Sequence, residues 1–307
     1  MSPGGAVPVR PDRGRSRQWR AAESAAPADV SSGRAPWHGA TIDLDGVTAV
    51  AVDVPVDVGR ATALAKVLGA DPPGPAGVAH PLLCAAIEWT APLAWPATWP
   101  DAWARWGDRV VHGWHEIQLH RPLRCPSCVR LEARVAGQRT SSTGAVVVVD
   151  YAASDAQGPV WATRAGMIWR GIGTRDCGLP DPPMLPTTTR AASIEIPVAA
   201  GFAGDYSSAT GIWNPIHTDG DVARAAGLPA PPVHGTAVLG LAVTELARTV
   251  GVRLDLLRSV AARFTAPVYA PSTLGVAWRA GHDRIDFRVD GPAGTVLVGR
   301  FEPAEEG

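Results

Sequence analysis

One segment of the chain is dense in groups that could move protons: "GIWNPIHTDGDVARAAGLPAPPVHG", from Gly211 to Gly235. It holds two histidines, His217 and His234. An unperturbed imidazole exchanges its proton close to neutral pH, so His217 reads either as a general acid or base or as a capping or core residue. Pro215 presets the backbone at the start of the helix or turn that would carry it. Asn214 before that proline either orients a water through its amide or simply forms the turn. Gly235 opens an apolar run. A helix starting there would aim free N–H groups and the positive end of its dipole at an oxygen gaining negative charge. His234 reads as a loop-fixing residue beside that site, and Trp213 and Thr236 flank it as candidate binding residues. Ile212, five residues before His217, has neither a lone pair nor a proton to offer.

An acid could stand elsewhere. Asp219 reads as a cap or a solvent-facing residue, and Asp205 as the end of a short loop. Glu88 lies inside the apolar stretch "HPLLCAAIEWTA". An unpaired buried carboxylate is costly, so Glu88 is either a helix-end residue with a local partner or a substitute acid for the site. Metal chemistry has weaker support. "CPSC" (Cys125 to Cys128) lacks a second pair of matching spacing and reads as turn chemistry. His115 and His120, at an odd separation on an alternating strand, face opposite sides, which disfavours a three-histidine site with His112. No metal and no cofactor is expected.

The elements that must position these groups fall into two similar halves. "HPLLCAAIEWTA" begins an apolar helix-like run, followed by "HEIQLHRPLRCPSCVRLEARV", "TGAVVVVDYAAS" and "GPVWATRAGMIWR". "HGTAVLGLAVTELART" begins a second run, followed by "VAARFTAPVYAPSTLGVAWRA", "RIDFRVDGP" and "GTVLVGRFEP". Pro122 and Pro126 bracket a turn in the first half, as Pro267 and Pro271 do in the second. Alternating runs after each turn predict antiparallel strands. A helix apolar on nearly every face must be wrapped on all sides. The layout is α+β, with two antiparallel sheets each wrapping a long central helix that starts near His80 or Gly235. The expected organisation is a disordered lead-in over residues 1–40, a first repeat over 41–171, a linker over 172–190 and a second repeat over 191–307. The tryptophan-rich "EWTAPLAWPATWPDAWARW" reads as packing of the first repeat or as a wall over a ligand tunnel.

Composition narrows the classes. The chain has 307 residues, 46% hydrophobic and 19% charged, with a net charge of -1. These values allow a substantial core and give no electrostatic case for nucleic acid or a membrane surface. No apolar run is long enough to span a bilayer and no signal-peptide pattern stands at the start, so a cytoplasmic location is expected. The four cysteines do not form a disulfide framework.

"TGIWNPIHTDGDVARAAG", followed by "VHG", resembles the signature of the MaoC-like (R-specific) enoyl-thioester hydratase/dehydratase family, of the form Ser/Thr-Gly-Asp-x-Asn-Pro-x-His-x-Asp. Thr210, Gly211, Asn214, Pro215, His217 and Asp219 match it, and Ile212 stands where the family has its aspartate. The first half is similar to the degenerate amino-terminal repeat of two-repeat members. The resemblance implies a double hotdog fold that takes an acyl thioester on coenzyme A or an acyl carrier protein. His217, Asn214 and Gly235 would be the catalytic groups, and Ile212, Trp213, His234 and Thr236 would line the substrate. It implies addition or removal of water at the β-carbon, with the chemistry altered by Ile212. Hydrolysis of the thioester, conjugate addition of another nucleophile and a non-catalytic acyl-binding subunit remain alternatives. A homodimer, or pairing with another hotdog protein, is the expected assembly.

Overall fold

The computed structural model describes residues 40–44, 47, 49–74, 77–92, 94–95, 107–178, 182–183, 185 and 192–304. The first half runs β1 (Thr41–Ile42), β2 (Val50–Val56), α1 (Val58–Val67), α2 (Leu83–Glu88), β3 (Val110–Leu119), β4 (Ser127–Thr140), β5 (Gly144–Asp155), β6 (Gly158–Arg170) and β7 (Gly173–Thr174). The second runs β8 (Ala192–Val198), α3 (Phe202–Thr210), a 3-10 turn (Pro215–His217), α4 (Gly220–Ala225), α5 (Gly235–Val250), β9 (Leu257–Phe264), β10 (Ser272–Ala280), β11 (Ile285–Gly291) and β12 (Gly294–Pro303).

Ten strands form one antiparallel sheet in the order β2-β4-β5-β6-β3-β9-β12-β11-β10-β8. Counted within its own half, each run of five reads first, third, fourth, fifth, second from the outer edge inward. The two runs meet where β3 pairs with β9, Trp114 opposite Arg263 and Gln118 opposite Ser259. The likeness reaches the side chains. β2 (VAVDVPV) and β8 (ASIEIPV) share one alternation of exposure and burial and carry an exposed proline, Pro55 or Pro197, at the same step. Proline lacks a ladder donor and is tolerated there because both strands lie at the ends of the sheet.

The sheet wraps α5, of whose 16 residues 11 are buried. The sequence reading of a helix enclosed on every side is thus accounted for. Its glycine, Gly240, lies under Leu68; a Cβ there would come within 2.7 Å of the leucine side chain. The first central helix differs from expectation. It starts at Leu83 and is only six residues long, though every one of them is buried. Pro92 explains the early stop. Its ring nitrogen cannot donate to the Glu88 carbonyl one turn back, and it disfavours helical backbone at Ala91. The stretch expected as a linker begins with packed residues: Ile172 is buried and β7 pairs in parallel with β1. The expected disordered lead-in, except Ala40, lies outside the described residues, as do Trp99, Trp103 and Trp106 of the tryptophan-rich stretch. Trp95 is buried.

Two cross-links lock the halves around the helices. His80 accepts from the Leu82 N–H through Nδ1 (3.1 Å), so its Nε2–H donates to Thr244 Oγ1 on α5 (3.0 Å). Arg60, on α1, donates to the Ala86 carbonyl in the last turn of α2 (2.8 Å) and to the Thr210 carbonyl at the end of α3. Carbonyls at helix C-termini have no partner within the helix, and a cation is favoured there by the dipole. One guanidinium therefore ends two helices, just before Glu88 and just before Ile212. Replacing it by an apolar chain of similar length leaves both carbonyls short of a donor. Arg60→Met should lower stability by about 2 kcal/mol or more, seen as a lower urea midpoint with unchanged slope. Arg60→Lys, lacking the fork, should restore less than half of that loss.

Candidate active site

A cavity of about 370 Å³ opens at the seam of the halves. Its wall draws on α2, on β3, β5 and β6 of the first half, and on the Ile212–His217 segment, the start of α5 and the end of β9. The seam brings together groups more than a hundred residues apart in sequence.

The 3-10 turn that carries His217 is set by its two preceding residues. Asn214 Oδ1 accepts from the Ile216 N–H (3.3 Å), and Pro215 takes the first position of the turn. Both readings of Asn214 are therefore open to it at once: its oxygen makes the turn, and the residue, 9% exposed, lines the cavity. His217 is half-buried. Its Nδ1 lies 2.8 Å from the Pro232 carbonyl, which can only accept, so Nδ1 carries the proton and Nε2 keeps the lone pair. Burial holds its pKa down at about 4, against a smaller upward pull from the Pro232 carbonyl. At neutral pH it is a free base.

His234 stacks on His217 with ring centroids 3.7 Å apart and an interplanar angle of 26°. Its Nε2 lies 3.3 Å from Ser207 Oγ on α3. Burial and, next, the neighbouring His217 push its pKa down to about 2, with the Ile212 carbonyl opposing. Two stacked imidazoles in a buried site cannot both be charged, so the pair stays neutral. His234 is also the N-cap of α5, and Gly235 begins the helix. A Cβ on Gly235 would meet the Phe264 ring at 2.9 Å, so only glycine lets that ring close over the helix start. Thr236 is fixed by a bond from Tyr206 OH (3.0 Å).

Ile212 is 6% exposed, belongs to the core and lines the cavity. Trp213 does not join it. The extended segment alternates, Ile212 and Asn214 inward and Gly211 and Trp213 outward, and Trp213 is 56% exposed. This period of two turns Trp213, expected as a substrate-binding residue, out of the cavity lining and toward the surface. Asp219 caps α4, accepting from the Asp221 and Val222 N–H groups. Asp205 is not in a loop; it stands exposed in the first turn of α3. Neither lines the cavity.

Glu88 does line it, and its partners are not local. Trp161 Nε1 on β6 donates to Oε1 (2.8 Å), and His115 Nε2 on β3 lies 3.2 Å from Oε2. His115 Nδ1 is in turn 3.1 Å from His112 Nε2. A separation of three would place His112 and His115 on opposite faces of a regular strand. A bulge between His112 and Trp114 returns them to one side. The spacing alone could not show this. Gly113 at the bulge was the available signal.

The neutral histidines make stability depend on pH. An unfolded imidazole titrates at about 6.5, whereas folded His80, His217 and His234 titrate at about 3, 4 and 2, burial being the largest cause for each. Below pH 6.5 the unfolded chain binds more protons than the folded one. Each of the three then removes about 1.4 kcal/mol of stability per pH unit until its folded pKa is reached. Thermal melts should be flat above about pH 6.5 and fall steeply between there and about pH 4. His80→Gln should make that fall shallower.

Residues 184–298 match the family described as MaoC like domain. The chain is 31% identical over 191 residues to 3-hydroxyacyl-thioester dehydratase Y of Mycobacterium tuberculosis, a match covering 59% of this chain and 66% of that one. It is 23% identical over 193 residues to the peroxisomal multifunctional enzyme type 2 of Mus musculus, covering 59% of this chain and 25% of the enzyme. The chain thus spans just under two thirds of the first relative's length and a quarter of the second's. Among solved structures, a MaoC-like dehydratase from Phytophthora capsici superposes with a TM-score of 0.71 at 18% identity, covering 85% of this chain and 96% of that one. A Mycobacterium tuberculosis protein described as having a double hotdog fold superposes with a TM-score of 0.58 at 15% identity, covering 89% and 98%. The fold is the double hotdog, and residues 184–298 are similar to the MaoC-like domain family.

Proposed function

We propose that this chain is an acyl-thioester hydratase/dehydratase, adding or removing water at the β-carbon of an enoyl or 3-hydroxyacyl thioester. One observation carries the reading. A neutral imidazole, His217, has its Nδ1–H fixed on a carbonyl, and the residue lines the same cavity as the start of α5. The relatives named dehydratases support it.

The geometry suits a stepwise account. The thioester carbonyl lies at the start of α5, where Gly235 and Thr236 precede the helix's own carbonyl ladder and their N–H groups point outward. Water attacks the β-carbon while His217 Nε2 takes one of its protons. The π electrons move onto the thioester oxygen, and the helix N-terminus stabilises the resulting enolate. The enolate then re-forms the carbonyl as its α-carbon takes a proton. Water has then added as OH on the β-carbon and H on the α-carbon. Asn214, whose oxygen is committed to the turn, offers its amide N–H groups to the water. Ile212 offers nothing polar, so the aspartate of the family signature has no counterpart at that position. The thioester is carried on coenzyme A or an acyl carrier protein. We place the activity in the cytoplasm, in a homodimer or beside another hotdog protein; no described helix is long and apolar enough to cross a membrane.

Glu88 favours a second reading, thioester hydrolysis, since a buried carboxylate on α2 could attack a carbonyl or activate water. The purified protein, given enoyl and saturated acyl thioesters, separates the two. Loss of enoyl absorbance without release of the carrier thiol is the outcome expected, and thiol release from saturated thioesters would favour hydrolysis instead. His217→Ala should lower kcat by roughly a hundredfold or more in a folded protein. Because the free base is the active form, kcat/KM should stay level through pH 6.5 and fall only as pH drops toward about 4. A wild-type fall centred near 6.5 would place the base elsewhere.

A further inference from the structure

The second half supplies His217 and, stacked on it, His234 to one side of the cavity, and the reaction above moves a proton at both carbons. Among the described residues that line the cavity, Glu88 is the only carboxylate. It sits 2% exposed on the last turn of α2, and its recorded ion-pair partner is His115, equally buried. A lone buried carboxylate and a lone buried imidazolium are both costly. At 3.2 Å Oε2 and Nε2 stand at ion-pair distance without a well-aligned hydrogen bond, so a positive charge on His115 is the state that balances the carboxylate. The Glu88 charge is felt nearby, since it adds to burial in raising the Tyr151 phenol and the Cys84 thiol.

The contact continues outward. His115 Nδ1 and His112 Nε2 lie 3.1 Å apart, a separation that holds one proton. His112 is the half-buried member of the three and lines the cavity. Its ring lies 4.9 Å from that of Phe264, which covers Gly235. The chain of contacts therefore runs from Glu88 to the edge of the spot where the thioester carbonyl would sit.

We propose that Glu88, His115 and His112 form a second acid–base centre of the same cavity, in which His112 exchanges a proton with the bound acyl group while His115 and Glu88 position and charge-balance it. The inference rests on the hydratase/dehydratase reading. With Nε2 committed to His115, Nδ1 is the nitrogen through which His112 acts. When Nδ1 takes a proton from the acyl group, the Nε2 proton passes to His115 Nδ1. The positive charge then rests on His115 against the Glu88 carboxylate, and no charge is left unpaired. In the hydration direction the centre first takes a proton from solvent, held on His115 against the Glu88 carboxylate; His112 then passes a proton to the α-carbon from Nδ1 and is re-protonated through Nε2, while His217 returns the water's proton to solvent. The arrangement follows the general logic of a base held by an orienting imidazole and carboxylate, and it fills the role for which Ile212 is unfit. Burial, and then His115, hold His112 well below the usual imidazole range, with a smaller opposing pull from the Trp114 backbone; it rests as a free base.

The test uses the full chain and an enoyl thioester that the wild type hydrates. Glu88→Gln keeps an oxygen for the Trp161 N–H and removes the charge. His112→Gln removes the outer ring at a half-buried position. Both should fold, judged by circular dichroism and thermal melts. Where Glu88→Gln does not fold, His112→Gln and His115→Gln carry the test. Each is expected to lose at least tenfold in kcat with KM changed less than threefold. The Glu88→Gln/His112→Gln double variant should be no worse than the weaker single, as expected of residues acting as one unit. Folded single variants with kcat within twofold of an active wild type would overturn the centre, as would fully multiplying losses in the double. A wild type that hydrates no enoyl thioester would instead overturn the hydratase reading on which the centre rests, and the two failures are told apart by the parent protein alone.

Discussion

The cavity exists because β3 hydrogen-bonds to β9. That antiparallel pairing is the only strand contact in the large sheet that joins a strand of the first five to a strand of the second five among the described residues. It fixes His115 opposite Ala262 and Trp114 opposite Arg263, and so sets β3's histidines beside the end of β9, where Phe264 lies over Gly235. A shift of one residue would turn the histidines to the other face. Arg60 and His80 then hold the helices of the two halves at fixed depth beneath the seam. Position at the site is thus decided by backbone pairing, by the bonds of Arg60 to two backbone carbonyls and by the buried His80–Thr244 side-chain bond.

The cavity's chemistry depends on exclusion of water as much as on the residues present. The polar groups facing it include His112, His217 and His234, which burial keeps neutral, the Glu88 carboxylate and the Arg170 guanidinium. Interiors of this kind strengthen whatever charge forms in them, and they penalise any charge that forms without a partner. A helix N-terminus meets part of that need without a formal charge. Its dipole and free N–H groups are in place before any oxygen becomes negative, and so need no reorganisation during the reaction.

Much of this was legible in the sequence. The Asn214–His217 spacing with Gly235 marked the segment that lines one side of the cavity, and the repeated helix-then-strands order with its proline turns marked the double layout. These signals are local, and local chemistry fixes turns and helix starts. The partners of Glu88 were not legible. They come from β3 and β6, and the relation between His112 and His115 depends on a bulge that a strict period of two does not contain. The length of α2 was misjudged because its apolar residues continue past the point where Pro92 stops the helix. That Trp213 lies outside the cavity lining was not legible either, because a segment that reads as loop follows the alternation of a strand.

The two outermost strands deserve comparison with the seam. An open sheet of ten strands has two unfinished borders, and here each carries a proline, Pro55 or Pro197, and an acidic residue two positions earlier, Asp53 or Glu195, all exposed. A proline withholds a donor, and a carboxylate at the border repels an incoming acidic strand and is poorly tolerated under another strand's cover. The same guard at the same step in both halves makes the molecule closed to growth by strand addition. Fusing the halves uses up the one border in each that lacks this guard, and the sheet cannot be lengthened by recruiting further copies into a fibre. The described faces, helices and loops are therefore better suited to assembly than the two outer strands.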